Sequence, residues 1–194
     1  EIILNDSFNS IRIIRDEFGV PHVYAKNIFD LYFGYGYVTA EDRLFQIETL
    51  RRSVCGKTAE VFGKEFIQID IAALRDGYCA EEIEERIVRL DPLYVKILEM
   101  FSAGINKKIG EIKNNPAMLP AEFKKFGFSP QMWTPSDVAS IYVGTMAVRY
   151  SDFTSEMDNM ALLKKLKAKF GEKKAFYIFN DIVPLNDENS PCTI

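Results

Sequence analysis

What this chain lacks narrows its chemistry before anything present is weighed. It has one histidine, His22, and three cysteines, Cys55, Cys79 and Cys192. The cysteines have no metal-ligand spacing and a single histidine cannot complete a set with them, so no zinc site is expected. One disulfide with an odd thiol and three free thiols both stay open. There is no GxSxG, Walker loop, GxGxxG or HExxH. A Ser-His-acid triad would have to use His22, and nothing beside it in sequence supports one. If the chain serves an enzyme, the nucleophile is expected on another polypeptide. No apolar run approaches the roughly 20 residues needed to cross a bilayer. A net charge of −4 gives no reason to expect a nucleic-acid partner. The first residue is Glu1 and not Met, from which a processed or trimmed start is expected, with no signal peptide left to read.

What is present is ordinary in composition and informative in pattern. With 47% hydrophobic and 27% charged residues over 194 positions, the chain can form one domain with a real core, or a large piece of a bigger assembly. Ile11-Arg12-Ile13-Ile14-Arg15-Asp16 is β-branched and partly alternating, which reads as a strand. Gly19 and Pro21 end it, and a second extended piece through Val23 and Tyr24 makes a hairpin. His22, beside a proline and between apolar residues, reads as a hydrogen-bonded structural histidine.

From Asn27 the pattern turns helical. Five aromatics around Gly34 and Gly36 point to a helix junction where backbones approach closely. Tyr37, Ala40, Leu44 and Ile47 form an apolar stripe. The other face carries Glu41, Glu48, Arg51 and Arg52, and Asp42-Arg43 reads as an inward-facing ion pair or a packing network. Residues 58–88 break into short helical pieces at Gly63 and Gly77, with a solvated acidic face at residues 81–86. Asp91-Pro92 starts a long helix with Leu93, Ile97, Leu98, Phe101, Ile105 and Ile109 toward a core. Asn114-Asn115-Pro116 stops it, and a short helix follows from Leu119-Pro120 to Gly127. Lys164, Lys165, Lys167 and Lys169 read as a wet helix face and not a nucleic-acid patch. The fold expectation is α+β in a single domain over residues 1–194: a hairpin in 1–26, helices in 27–183 and an extended tail in 184–194. A two-stranded hairpin is marginal alone, so a larger sheet is expected from another polypeptide.

The stretch richest in chemistry is residues 144–159, from Gly144 to Asn159. Thr134, Pro135 and Asp137 make a helix start just before it, with Asp137 placed to bond back to the cap. A second helical pattern begins near Thr154 or Ser155. The intervening Ser, Asp and Thr residues favour a kink or break. Aromatic and charged side chains at a helix break suit ligand contact. The plainer reading is a helix-loop-helix in which Met146 and Tyr150, at i and i+4, are core.

Three separated stretches, in order, resemble one known family. Asp16-Glu17-Phe18-Gly19-Val20-Pro21-His22-Val23-Tyr24-Ala25, then Gly34 to Glu48 with Arg51-Arg52, resemble the start of the α subunit of penicillin acylases, which are N-terminal-nucleophile (Ntn) hydrolases. Gly144-Thr145-Met146-Ala147, Arg149, Ser151-Asp152, Thr154-Ser155-Glu156 and Asp158-Asn159 resemble the penicillin G acylase branch. The likeness runs from about Ile11 to the tail.

The resemblance implies a precursor that cuts itself into an α chain and a larger β chain. The catalytic serine is the first residue of the β chain and its own α-amino group is the base, with an ordinary pKa near 8. It implies that the hairpin joins the four-layer αββα core of the partner chain, and that no catalytic residue lies in this chain. The substrate would be a small-molecule N-acyl amide such as the side-chain amide of penicillin G. Met146 matches a methionine lining the acyl pocket, and Arg149 an arginine at its mouth facing the substrate carboxylate. Tyr150 stands where many members carry phenylalanine, and Phe153 where some carry serine, so acyl preference can differ. Glu156 matches a carboxylate reaching a structural calcium ion held mainly by the β chain; the plain reading of Glu156 is a helix-surface acid. A periplasmic or secreted location follows from the family. Two other readings stand beside this one: the same mechanism on aliphatic acyl groups, as in acyl-homoserine lactone or cephalosporin acylases, and a non-catalytic helical scaffold.

Overall fold

The computed structural model describes residues 2–4, 11–78, 80–150 and 155–183, the side chains at 147–150 and 155 excepted. It comprises two compact units, Glu1–Ala147 and Val148–Ile194. The first opens with β1 (Ile2–Leu4), β2 (Ile11–Arg15) and β3 (Pro21–Tyr24), an antiparallel sheet in the order β1-β2-β3. The expected hairpin is β2–β3. The sheet has a third strand that sequence reading did not assign, because three residues are too few to show alternation. Ile13 lies opposite both Ile2 and Val23. Ile11 and Ile13 alternate inward and are fully buried.

The β2–β3 turn is built by one carboxylate. Asp16 Oδ1 accepts from the backbone N–H of Phe18 and of Val20, each at 2.9 Å. Its other oxygen meets His22 Nε2 at 3.1 Å. That bond holds the Asp16 carboxyl below its usual range, with the two backbone N–H groups helping. His22 is thus hydrogen-bonded, as expected, although it is half-exposed. Gly19 takes φ +78°, a left-handed conformation that permits the tight reversal.

Helix α1 (Ile28–Val54) follows, capped by Asn27, whose side chain accepts from the N–H groups of Phe29 and Asp30. Short helices α2 (Ala59–Phe62), α3 (Ile67–Asp76) and α4 (Ala80–Ile87) come next, with a 3₁₀ turn at Lys64–Phe66 between α2 and α3. Asp70 on α3 caps α2 from outside, accepting from Thr58 and Ala59 N–H at 2.8 and 2.7 Å. Helix α5 (Pro92–Asn114) has Asp91 as its cap and Pro92 at the first position. Leu93, expected in the core, is exposed at the mouth of that helix. Helices α6 (Ala121–Phe126) and α7 (Pro135–Tyr150) complete the unit's order.

Helices α1 and α5 touch backbone to backbone. A Cβ built on Gly36 would stand inside the van der Waals shell of the Phe101 carbonyl oxygen, and one on Gly104 inside that of Phe33. Gly34 faces the side chains of Val23 and Ile11 in the same way, so the sheet lies against α1. One core gathers Ile11, Ile13, Phe33, Tyr37, Val38 and Met100 between sheet and helices. The other gathers Ala40, Leu44, Ile105, Ile109, Phe123 and Trp133. Phe45 sits at its edge, with the rings of Phe62, Phe123, Phe126 and Phe128 all within 6.2 Å of its own. Each fully buried aliphatic or aromatic side chain contributes about 1.5–3 kcal/mol.

Charges tie the same elements. Arg15 of β2 bonds Asp42 and Glu41 of α1, each at 2.6 Å. Glu41 also accepts from Lys108 of α5 at 2.9 Å, and Tyr37 donates to Glu111 at 2.9 Å. Burial pushes Glu41 up, but the bonds from Arg15 and Lys108 outweigh it and leave the carboxyl below its usual range. Burial, helped by the Glu111 carboxylate, raises the Tyr37 phenol to about 12. Asp42 and Arg43 are not an inward pair: Asp42 faces Arg15, and Arg43 turns to Gln46 at 3.0 Å. Arg43 itself leaves helical geometry (φ −139°, ψ 26°) and bends α1 just past the point where Arg15 grips it.

The second unit holds α8 (Ser155–Phe170) and α9 (Glu172–Ile182), joined at Gly171 with φ +76°. Ala175 is fully buried there. The break between α7 and α8 and the extended tail both lie outside the described residues.

The glycine crossing generates a matched pair of variants within one helix. Gly104→Ala should destabilise the protein by about 3 kcal/mol, because the new methyl meets backbone and not a movable side chain. Gly110→Ala, which meets nothing within 4 Å, should gain about 0.5–1 kcal/mol from helix propensity. Denaturant midpoints of the two variants check both signs.

Candidate functional site

The residues singled out by sequence lie on α7 and just beyond it, so the seat of α7 decides how they are presented. Its start is the expected capping box. Thr134 N–H donates to Asp137 Oδ2 at 2.7 Å, and Asp137 N–H donates back to Thr134 Oγ1 at 3.2 Å. The residue before the cap, Trp133, is pinned from α5. Asn106 Nδ2 donates to the Trp133 carbonyl at 2.8 Å while Asn106 Oδ1 accepts from the Trp133 N–H at 2.7 Å. The Trp133 ring is buried under the Arg51 guanidinium, 4.8 Å from its centroid.

Arg51 then links three elements. It bonds the fully buried Glu48 on α1, the Met132 carbonyl at 3.2 Å, and lies 3.5 Å from Asp137 on α7. Arg52 approaches the second Glu48 oxygen at 3.3 Å. A buried carboxylate needs such partners, because removing its charge from water costs several kcal/mol. Farther along α7, a Cβ on Gly144 would strike the Val54 side chain at the end of α1. The helix is therefore fixed at its cap and again near its middle.

Seated in this way, α7 turns one of its faces outward. Tyr142 and Met146, at i and i+4, share one face of α7 and are 67% and 39% exposed. Met146 is not core. On the flank of the same helix, a groove of about 390 Å³ is lined by Ile83, Ile87, Tyr94, Leu98, Tyr142 and Val143. Arg149 and Tyr150 end α7, and their side chains are outside the described set; Phe153 lies outside the described residues altogether. Glu156 sits exposed in the first turn of α8, with Asp158 two positions on.

The one described cysteine is not set up as a nucleophile. Cys55 is a free, half-buried thiol, and burial pushes its pKa up, which suppresses the reactive thiolate. His22 is committed to Asp16. No group of three or more His, Cys, Asp or Glu side chains that could hold a metal gathers among the described residues. Sequence reading placed Glu48 and Arg51 on the polar face of α1 and missed that the pair is buried. The i, i+3 spacing was visible; their partners Trp133 and Asp137 lie some eighty residues away, and nothing local announces them.

The penicillin amidase family model matches residues 10–186. The chain belongs to the penicillin amidase family. It is 45% identical to penicillin G acylase of Escherichia coli over 99% of its own length and 23% of that protein's. It is 34% identical to penicillin acylase 2 proenzyme of Pseudomonas sp. (strain SE83) over 64% of its length and 16% of that protein's. Acyl-homoserine lactone acylases of Pseudomonas match more distantly, at 24% identity for one from Pseudomonas putida, over 80% of this chain and 19% of that protein. The chain thus spans less than a quarter of the length of these relatives. Among solved structures, thermostable penicillin G acylase from Alcaligenes faecalis matches with a TM-score of 0.73 at 32% identity, covering 100% of this chain and 98% of that one. The α+β fold read from the sequence, helices after a short N-terminal sheet, is the fold of that neighbour in the penicillin amidase family.

The Asn106 clamp is testable by itself. Asn106→Ala leaves the Trp133 N–H and carbonyl without their protein partner, and should cost about 2 kcal/mol. Thr134→Ala, which removes only the cap, should cost about 1 kcal/mol. Chemical denaturation of the two variants checks the order.

Proposed function

We propose that this chain is the small, α subunit of a penicillin G acylase-type amidase. A second, larger β chain cut from the same precursor carries the catalytic serine at its N-terminus. The observation that carries the reading is the outward Met146 on a helix held rigid by Asn106 and Gly144, inside a sequence 45% identical to a penicillin G acylase. The match to 98% of one chain of the Alcaligenes faecalis enzyme supports reading this chain as the counterpart of that one. The three-stranded sheet is small, and joining the core sheet of the β chain would complete it.

In this reading the chain binds and orients; it breaks no bond. Met146 offers a polarisable thioether to the aromatic ring of an N-phenylacetyl amide such as penicillin G. Tyr150 and Phe153 close the acyl cavity, and Arg149 faces the substrate carboxylate at its mouth. The distant likeness to acyl-homoserine lactone acylases makes aliphatic acyl amides the second reading. Glu156 fits a calcium ion as one ligand: it is exposed, and no complete oxygen shell gathers around it among the described residues. A calcium ion there would supply a fixed cross-link between chains. A periplasmic or secreted location completes the proposal; no helix among the described residues is long and apolar enough to cross a membrane.

Steady-state kinetics of the assembled enzyme test the role of Met146. Met146→Ala should raise KM for a phenylacetyl amide about tenfold, equivalent to about 1.4 kcal/mol, with kcat changed less. A parent enzyme that turns over long-chain acyl amides faster than phenylacetyl amides would transfer the proposal to the second reading. Amide hydrolysis by this chain alone would remove it. For the metal role, Glu156→Gln should lower calcium content and promote subunit dissociation in chelator, read by metal analysis and native mass spectrometry. Unchanged calcium and assembly would return Glu156 to an ordinary surface acid.

A further inference from the structure

The α8–α9 corner carries a cluster of charge and aromatic rings apart from the α7 face. Between Lys164 and Lys174 the sequence places six lysines against one acid, Glu172, a local excess of five positive charges in a chain whose total is −4. Gly171 reverses the chain with φ +76°, which brings the end of α8 and the start of α9 together. Lys169 and Lys174, one from each helix, both lie over the Phe170 ring, at 5.2 and 5.6 Å from its centroid. Lys167 lies 4.4 Å over Phe176 and pairs with Glu172 at 3.1 Å. The rings are not hidden: Phe170, Phe176 and Tyr177 are 38%, 43% and 75% exposed. The acids Glu156 and Asp158 stand at the opposite end of α8, about 16 Å or more away along the helix, beyond a Debye length at physiological salt.

We propose that this corner binds anionic lipid surfaces, with Lys169, Lys173 and Lys174 at the phosphate level and Phe176 and Tyr177 in the headgroup boundary. Charge complementarity argues for an anionic occupant, and the exposed aromatics argue for lipid. Amphipathic rings settle at membrane interfaces, and lysines beside them are drawn to a negative surface potential. Single-stranded nucleic acid would instead ask for open ring faces on which bases stack. Here two of those faces are covered by the chain's own ammonium groups. The contact is peripheral: nothing in it requires a spanning helix.

The test uses the assembled enzyme and sedimentation with vesicles of equal parts phosphatidylglycerol and phosphatidylcholine, against vesicles of phosphatidylcholine alone. The parent should sediment with the anionic vesicles at low salt and stay in solution with the neutral ones. K169Q/K173Q/K174Q should weaken the anionic binding about a hundredfold while phenylacetyl amide turnover stays unchanged, and Tyr177→Ser should weaken it further. Equal sedimentation of parent and triple variant would overturn the proposal. So would equal binding of the parent to both vesicles, or binding to polyphosphate with none to lipid. Retained amidase activity in the triple variant keeps a folding failure from passing as support. Because turnover and sedimentation are separate readouts, loss of one reading leaves the other standing.

Discussion

At the crossing of α1 and α5, Gly36 meets the carbonyl of Phe101 and Gly104 meets the carbonyl of Phe33. The two backbones lie closer than any side chain would permit. That approach sets the depth at which the flanking residues interlock. Phe33, Tyr37, Val38 and Met100 meet the sheet on one side of the crossing, and Ala40, Leu44, Ile105 and Ile109 meet α6 and Trp133 on the other. A side chain at either glycine would lever the helices apart and open both cores together. Interiors packed to crystal density transmit such a shift and do not absorb it.

Apolar packing sets how near the helices lie, and buried charge sets how they are turned. Lys108 is nearly buried on α5, yet it reaches Glu41 and the Tyr37 hydroxyl on α1, while Arg15 brings β2 to the same Glu41. Glu48 is buried completely, and its partners extend through Arg51 to Asp137 on α7. Such pairs add little net stability, since desolvation offsets attraction. Their effect is directional: a rotation of α1 or α7 that strands Glu48 without its arginines would cost several kcal/mol. The ion pairs therefore select one orientation among the many that a greasy interface would accept. In this protein the selected orientation is the one that turns Tyr142 and Met146 outward.

Local patterns carried much of this. Asn27, Asp91, Thr134-Pro135 and Gly127 mark helix ends by chemistry confined to a few residues, and each helix end stands where those residues place it. Gly34 and Gly36 among aromatics signalled a close junction, because glycine there has no other advantage. What stayed hidden were properties of distant pairs. Nothing around Gly104 marks it as the counterpart of Gly36, and Asn106 looks like any polar residue in the last half of a helix. Arg43 and Asp42, neighbours in sequence, allowed an inward pair or a packing network; Asp42 goes to Arg15 of β2 and Arg43 to Gln46. The strand at Ile2–Leu4 is defined by its partner more than by its own three residues.

The exposed apolar surface follows from the same division of labour. Tyr142 and Met146 on α7 and Ile67, Ile71 and Leu74 on α3 are all more than a third exposed, although each stands on a helix whose opposite face is anchored. Scattered apolar residues need no explanation, but stripes at i, i+4 and i+7 on seated helices do. A scaffold that ended its own core at these faces would place polar residues there at no cost to packing. Keeping them apolar leaves faces on which a further surface can pack. The stripe on α3, Ile67, Ile71 and Leu74, is such a face. The face on α7 differs in one respect. There Tyr142 and Val143 share an apolar groove with α4 and α5, so the outward face of α7 continues into a concave surface and does not end on a flat one.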